Sequence, residues 1–447
     1  MKPVLIVAPF FAPQSHAAVF RAHKLAKHLP EYGWKPYVLT VDTNYLYNED
    51  ANLLEELPEA VEIVRAQYVE PTVRGARMAL GGTDRTFVSM KETLVEARDS
   101  GSVQDAIPHR ASSNAIQRLA GSAYGQVRTQ WLNSPDAYWT WERPAIRAGR
   151  ELIRQHGIEI VLSTAMPYTA HRVGRALQRE GADWVADFRD PAGYGAKMSS
   201  PAMRVLARQR EIVKDTLSHA DMVTTTANSY ALIFADLFGD ITREPIRWIP
   251  TGVDEALIHD EPADIEDPYL LYVGEVMPDQ TESFFDILAH AFQQDRAGHK
   301  LVVVGHELMN RSRLGPVLNR YDIQDRVQFV DHVPQADVYR LLLNARAGVL
   351  VPGQNAYWWN LHAKLVDYAG LRKPVVALVP DPSEARSVLG RSNLGVFLDG
   401  DLEQATTKLA AFFNGELPPP EPVAAECDRY LARSQVAAFA SVFESLV

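Results

Sequence analysis

Two doubly wound α/β domains are what this sequence predicts, and three observations carry that expectation. The chain has 447 residues, more than one ordinary domain holds. Hydrophobic residues make up 47% of it, enough to bury two sizeable cores. In both halves, short apolar runs with β-branched residues alternate with helix-patterned stretches, the pattern of parallel strands joined by crossover helices.

The first half opens with a strand at Val4–Val7, a loop from Pro9 to His16 and a helix at Ala17–Leu29, which Gly33 stops. Pro9 and Pro13 break the N-terminal apolar run, so it reads as a first buried strand rather than a signal peptide. Tyr37–Thr40 is the next strand. Residues 43–135 carry the weakest pattern, with helical signals at Asn52–Pro58 and Lys91–Ala97 and loops at Gly81–Thr83 and Ser100–Gly101. They are expected to form an insertion that shapes an acceptor site. A helix follows at Glu142–His156, with Arg143, Arg147, Arg150 and Arg154 on one stripe. That stripe reads either as a solvated face or as a surface for lipid phosphate. Strands are expected at Ile158–Leu162, Trp184–Asp187, Met222–Thr225 and Arg247–Pro250.

In the second half the alternation restarts. Strands are expected at Tyr269–Val273, Leu301–Val304, Val327–Val330, Gly348–Val351, Pro374–Val379 and Leu394–Leu398. Helices are expected at Glu282–Phe292 and Val338–Asn344, and in the tail from Asp428 to Leu446. Between Gly348–Val351 and Pro374–Val379 lies one more helix, with Asn360 as N-cap and Leu361, Leu365 and Tyr368 as its apolar stripe. Asn360, Lys364 and Asp367 form a polar stripe on the same helix. A helix N-terminus just beyond the C-end of a strand is where an α/β sheet holds an anionic ligand. The N–H groups of Leu361, His362 and Ala363 could then face a phosphate, Lys364 neutralise it, and Asp367 accept from a sugar hydroxyl.

These residues carry a resemblance. H-A-K-L-V-D-Y-A-G-L-R-K-P-V-V-A resembles the donor-binding segment of retaining glycosyltransferases with the GT-B fold, family 4, whose pattern is K-L-x-E-Y-x-A-x-G-K-P-V. Asp367 stands where the family's Glu holds a ribose, and Arg372 where Gly is usual. S-T-A-M-P-Y-T-A-H, D-F-R-D-P and P-T-G-V-D resemble further motifs of the same family. The resemblance implies two Rossmann-like domains facing a cleft. Residues 1–250 would be the acceptor side, 251–425 the nucleotide-sugar side, and 426–447 a helix returning to the first domain. It also implies His171 at the donor sugar, with Lys364 and Asp190 beside it in catalytic positions. Gly274, His332, Val333, Asn360, Leu361, His362 and Asp367 would bind the donor, and His16, Arg21 and Arg189 would face acceptor or phosphate. Other readings stay open for several of these. His171 could be a plain helix-start histidine, Arg189 and Asp190 a local ion pair, and Trp358 and Trp359 core residues or a stacking face for a sugar.

Further departures stand against the resemblance. The stretch after Gly274 reads E-V-M-P-D-Q-T-E, with Glu275 where the family commonly has the Arg that meets a leaving diphosphate. The loop from Gln14 to Ala18 lacks the usual glycines, and side chains there limit how closely backbone can approach a ligand.

Net charge is −11, which argues against a generic nucleic-acid binder. The charge sits in the second half. Residues 1–250 carry 29 basic and 28 acidic side chains, residues 251–447 carry 16 and 28. The single cysteine, Cys427, excludes a disulfide framework and fits a reducing compartment. No apolar run approaches the length of a membrane span. The expected function is transfer of a sugar from a nucleotide diphosphate donor to a sugar, lipid-linked or small-molecule acceptor with retention. No cofactor, metal or nucleic acid is expected, the compartment is cytoplasmic, and peripheral contact with the inner membrane face is compatible with the arginine stripe. The alternatives are a non-catalytic GT-B binding or partner subunit and a GT-B sugar-nucleotide epimerase.

Overall fold

The computed structural model describes residues 1–44, 49–81, 134–191, 203–239, 241–259, 261–276, 278–352 and 358–447. They divide into two compact units, Met1–Thr224 with Asp236–Ile246 and Leu446–Val447, and Thr225–Ala235 with Arg247–Ser445. The chain builds two parallel sheets. The first has seven strands, β1 (Lys2–Val7), β2 (Trp34–Val41), β3 (Glu62–Ala66), β4 (Ile160–Ala165), β5 (Asp183–Phe188), β6 (Met222–Thr225) and β7 (Arg247–Trp248), in the order β3-β2-β1-β4-β5-β6-β7. The second has six, β8 (Tyr269–Val273), β9 (Lys300–Val304), β10 (Val327–Val330), β11 (Ala347–Leu350), β12 (Val375–Ala377) and β13 (Gly395–Phe397), in the order β10-β9-β8-β11-β12-β13.

Both faces of the second sheet are covered, which is why its central strands are largely apolar runs. Successive side chains of a strand point to opposite faces. Leu270 and Tyr272 join one core with residues of the helices Pro278–Gln294 and Leu402–Phe413. Tyr269 and Leu271 join the other with residues of the helices Gln335–Asn344 and Ala363–Gly370.

Several expectations need correction. Strand β3 lies inside the stretch expected to be an insertion, and seven of the described helices carried no clear signal: Val73–Ala79, Met203–His219, Asn228–Phe238, Glu307–Tyr321, Glu384–Arg391, Leu402–Phe413 and Ala424–Cys427. Pro316 inside Glu307–Tyr321 hides that helix from a propensity reading. The tail helix is shorter than expected, Ala432–Glu444, because Asp428–Tyr430 is a 3-10 turn. The helix expected at Lys91–Ala97 and the loop at Ser100–Gly101 lie outside the described residues.

The P-T-G-V-D segment is pinned to that tail. Val253 N–H donates to Tyr430 O at 2.7 Å, Ala432 N–H donates to Val253 O at 2.7 Å, and Gly252 N–H donates to Gln435 Oε1 at 2.9 Å. A Cβ on Gly252 would sit 2.1 Å from the Leu431 carbonyl carbon, so no larger residue fits without moving backbone. Gly252→Ala should therefore lower stability by about 1–3 kcal/mol in denaturant titration. Gly390→Ala, at an exposed helix position with nothing within 4 Å of the new methyl, should be neutral or stabilise by up to about 1 kcal/mol. Equal effects at the two sites would contradict the close approach.

Candidate functional site

In the second sheet the order reverses at β8: β9 and β10 extend on one side, β11 to β13 on the other. The crevice at the C-ends of β8 and β11 is the switch point where parallel α/β sheets hold ligands. Strand β8 runs into Gly274, whose φ of +111° favours glycine and whose N–H donates to Val304 O at 2.7 Å. From the other side the helix Ala363–Gly370 brings Lys364, its Nζ only 3.8 Å from where a Cβ on Gly274 would stand.

Lys364 Nζ lies over the Tyr272 ring, 3.6 Å from its centroid. Among the described residues it has no ion-pair or hydrogen-bond partner. Burial takes its pKa down to about 7. His362 precedes it, its pKa lowered to about 4 by burial and then by the Lys364 charge, so it is neutral near pH 7 and adds no second cation. Asp367, one turn beyond Lys364, accepts from Gln335 Nε2 and from Tyr339 OH, both at 3.4 Å. Gln335 opens the helix Gln335–Asn344. His332, exposed, and Val333, half-buried, lie just before it, after the edge strand β10.

The helix start differs from the expectation. Asn360 is not the N-cap: the helix begins at Ala363, with His362 as its cap residue. Asn360 Nδ2 is instead turned to His362 Nδ1 at 3.4 Å, while Leu361 packs onto the core. The leading amides are thus those of Ala363 and Lys364, since Leu365 N–H already donates to His362 O. Trp359 is buried edge-on against Tyr230, and Trp358 is exposed. Glu275, where the resemblance expects Arg, pairs with Arg313 at 2.9 Å. Spacing in the sequence gave no signal for Tyr272, Gln335 or Arg313, because each reaches the crevice from a different element.

The first sheet reverses between β1 and β4, and the remaining expected residues lie around that point. His16 caps the helix Ala17–His28 by accepting from Ala18 N–H at 3.3 Å, with its ring edge-on to Phe10. Burial and then Arg189 lower its pKa. Arg189 donates through Nε to Ala165 O at 3.1 Å and through its terminal nitrogens to Ala18 O and Met166 O. Burial lowers its pKa to about 10, so it stays charged at neutral pH. Asp190 beside it is exposed.

Arg21, implied at acceptor or phosphate, and His171, implied at the donor sugar, are both buried among partners of their own unit. Arg21 is 1% exposed and meets Asp187 with Nε and Nη2 at 2.8 and 2.7 Å. Thr164 and Thr224 also donate to that carboxylate. Burial pushes the Asp187 carboxyl up, but Arg21 and these hydrogen bonds hold it below the ordinary range. His171 is fully buried, its Nδ1 2.8 Å from Ser163 Oγ and its ring 4.4 Å from Phe188. Burial drives its pKa to about 3, so it is neutral. The reason is local. Asp136 accepts from Thr169 N–H and Oγ1, starting the helix Thr169–Gln178 so that His171 turns onto the sheet.

Arg143, Arg147, Arg150 and Arg154 are all exposed on the helix Glu142–His156, and Arg150 pairs with Glu180. No helix among the described residues is long and apolar enough to cross a membrane.

Arg21→Met should cost about 3–5 kcal/mol of stability, because Asp187 is left charged and buried without its partner. Chemical denaturation measures this; a loss under about 1 kcal/mol would mean that the pair is not the buried brace described.

No protein-family profile and no curated protein sequence matches the chain. Solved structures do. Anabaena Alr3699/HepE in complex with UDP is similar with a TM-score of 0.59 and 12% identity over 100% of both chains. Sucrose-phosphate synthase from Thermosynechococcus elongatus gives 0.58 and 12% over 100% of this chain and 99% of that one. A putative UDP-N-acetylglucosamine 2-epimerase from Listeria monocytogenes gives 0.53 and 10% over 100% and 98%. At these identities the likeness shows the fold, and the fold is the two-unit Rossmann-like α/β arrangement of the GT-B class.

Proposed function

We propose that the protein is a glycosyltransferase that moves a sugar from a nucleotide diphosphate donor to an acceptor, with retention and without a metal. The observation that carries this is Lys364, a lysine with no counter-ion among the described residues, at the switch point of the second sheet beside Gly274. A developing diphosphate needs preorganised positive charge, and Lys364 with the leading amides of its helix would supply it. Asp367 would accept from the ribose hydroxyls. Retention follows if the acceptor hydroxyl attacks from the face the diphosphate leaves: the glycosidic bond to phosphate breaks, the new C–O bond forms, and the departing phosphate oxygen takes the hydroxyl proton. That route needs no protein nucleophile.

The UDP held by the similar HepE structure makes uridine diphosphate sugars the first donors to try. The acceptor would be a sugar, a lipid-linked or a small molecule, in glycan or glycoconjugate assembly on the cytoplasmic side, with the arginine stripe available for peripheral membrane contact. Family 4 is the proposed family, on the motifs quoted above.

A second reading, a non-catalytic nucleotide-sugar binder, is favoured by Glu275, a carboxylate where the leaving diphosphate usually meets Arg. Nucleotide-sugars offered with a broad set of acceptors decide between them, read by released nucleoside diphosphate and by the anomeric signal of the product in NMR. Binding without transfer or hydrolysis selects the binder, and conversion of the free nucleotide-sugar to its epimer selects an epimerase.

Asp367→Ala should weaken donor binding by about 1–3 kcal/mol in calorimetry while the fold is kept. Lys364→Ala should lower turnover about 10²–10³-fold. Unchanged donor affinity in the first variant, or near-normal turnover in the second, would remove that residue from the site.

Donor affinity should also depend on pH. Lys364 is protonated below about pH 7 and neutral above it, and bound diphosphate favours the protonated form. A diphosphate ester has no proton of its own to lose near neutrality. Affinity should therefore be greatest below pH 7 and fall as pH rises, and Lys364→Met should flatten the profile. The same slope in that variant would place the titrating group elsewhere.

A further inference from the structure

Glu275 raises a problem for any anionic ligand at the switch point of the second sheet. Its backbone follows Gly274 directly, and Lys364 Nζ stands 3.8 Å from the Cβ position of Gly274. A free Glu275 side chain is therefore within reach of that ammonium and would compete with a phosphate for it.

The helix Glu307–Tyr321 holds Glu275 from the far side. Asn310 is fully buried and spends its amide on the two residues that flank Glu275. Its Nδ2 donates to Gly274 O at 3.1 Å, and its Oδ1 accepts from Val276 N–H at 2.9 Å. Tyr272 OH donates to Glu275 O at 3.1 Å. With the backbone fixed, Arg313, one turn beyond Asn310, takes the Glu275 carboxylate at 2.9 Å. This helix follows β9, on one side of β8, whereas the helix carrying Lys364 follows β11, on the other. The carboxylate is drawn away from the lysine.

We propose that Arg313 is a positioning residue that draws the Glu275 carboxylate to the β9 side of the crevice and leaves Lys364 free for the diphosphate of a nucleotide-linked ligand. The inference rests on the reading that this crevice binds a nucleoside diphosphate group. It assigns Arg313 no contact with the ligand; its effect runs through Glu275.

Calorimetric titration with UDP, ADP, GDP and dTDP, each beside its nucleoside, tests it on the full chain. For the diphosphate that the wild type binds, Arg313→Ala should weaken affinity about fivefold, the scale of one surface ion pair. Affinity for the bare nucleoside should not change. Glu275→Gln in the same chain should bring the diphosphate affinity back to within about twofold of wild type, because the competing carboxylate is gone. Arg313→Lys, which keeps the charge, should stay near wild type, and thermal melts confirm that each variant is folded. Unchanged diphosphate affinity in Arg313→Ala overturns the inference. So does a double variant no better than Arg313→Ala, which would mean that Arg313 touches the ligand itself. A wild type that binds none of the four diphosphates overturns this inference and the proposed function together, whereas the first two outcomes leave the proposed function standing.

Discussion

A lysine amine with no carboxylate partner among the described residues, seated on a tyrosine face where a parallel sheet reverses its order, is the constraint on which the chemistry of the second unit depends. Desolvation penalises the charged form of a buried amine, and the lowered pKa of Lys364 expresses that cost. The fold keeps the group there all the same. Leu365 and Tyr368 on the same helix are fully buried, and Tyr368 OH reaches the carbonyls of Leu271 and Val349, so the helix cannot rotate Lys364 away without opening the core. Packing thus fixes a charge deficit at the C-end of β8. An anion entering there would gain an interaction that nothing in the described protein supplies.

The first unit treats its charges in the opposite way. At its own switch point Arg21 is consumed by Asp187, and the remaining carboxylate capacity by Thr164 and Thr224. Arg189 spends its donors on three backbone carbonyls. His171 is buried and neutral. These groups brace the loops after β1, β4 and β5 rather than present charge. Similar topology therefore yields a braced switch point in one unit and, in the other, one whose lysine has no ion-pair partner among the described residues.

What the sequence made legible follows from how local each signal is. Met222–Thr225, Tyr269–Val273 and Val327–Val330 were readable to the residue, because short β-branched runs between turn residues need no tertiary context. Strand β3 was not: Glu62 and Arg65 interrupt its apolar pattern, and the order of the sheet puts it at an edge, where polar side chains are tolerated. Lys364 and Asp367 were legible as a pair because three-residue spacing on a helix is a local property. The helix start was misjudged because Asn360 has capping chemistry, yet its amide pairs with His362 and the backbone turns later. Arg21 and His171 show a related limit of local signals. Their spacing and neighbours matched a site, but the partners that bury them, Asp187 and Ser163, declare themselves only in three dimensions.

Glu275 shows how a departure from a family pattern changes meaning once the elements around it are placed. Read by position, a carboxylate in place of a phosphate-binding arginine reverses the charge of the loop and argues against any anionic ligand. In the fold, that carboxylate is matched by Arg313 from the neighbouring helix, so loop and helix together present no net charge at this point. Lys364 then stands beside Gly274 with no ion-pair partner among the described residues. Sequence position records which residue was exchanged. Only the packing of the helix Glu307–Tyr321 against the loop after β8 shows where the balancing charge went, because Asn310 and Arg313 lie more than thirty residues downstream and have no motif of their own. A missing cation in a motif is thus weak grounds for calling such a site inert when a helix one strand away carries an arginine on the exchanged residue.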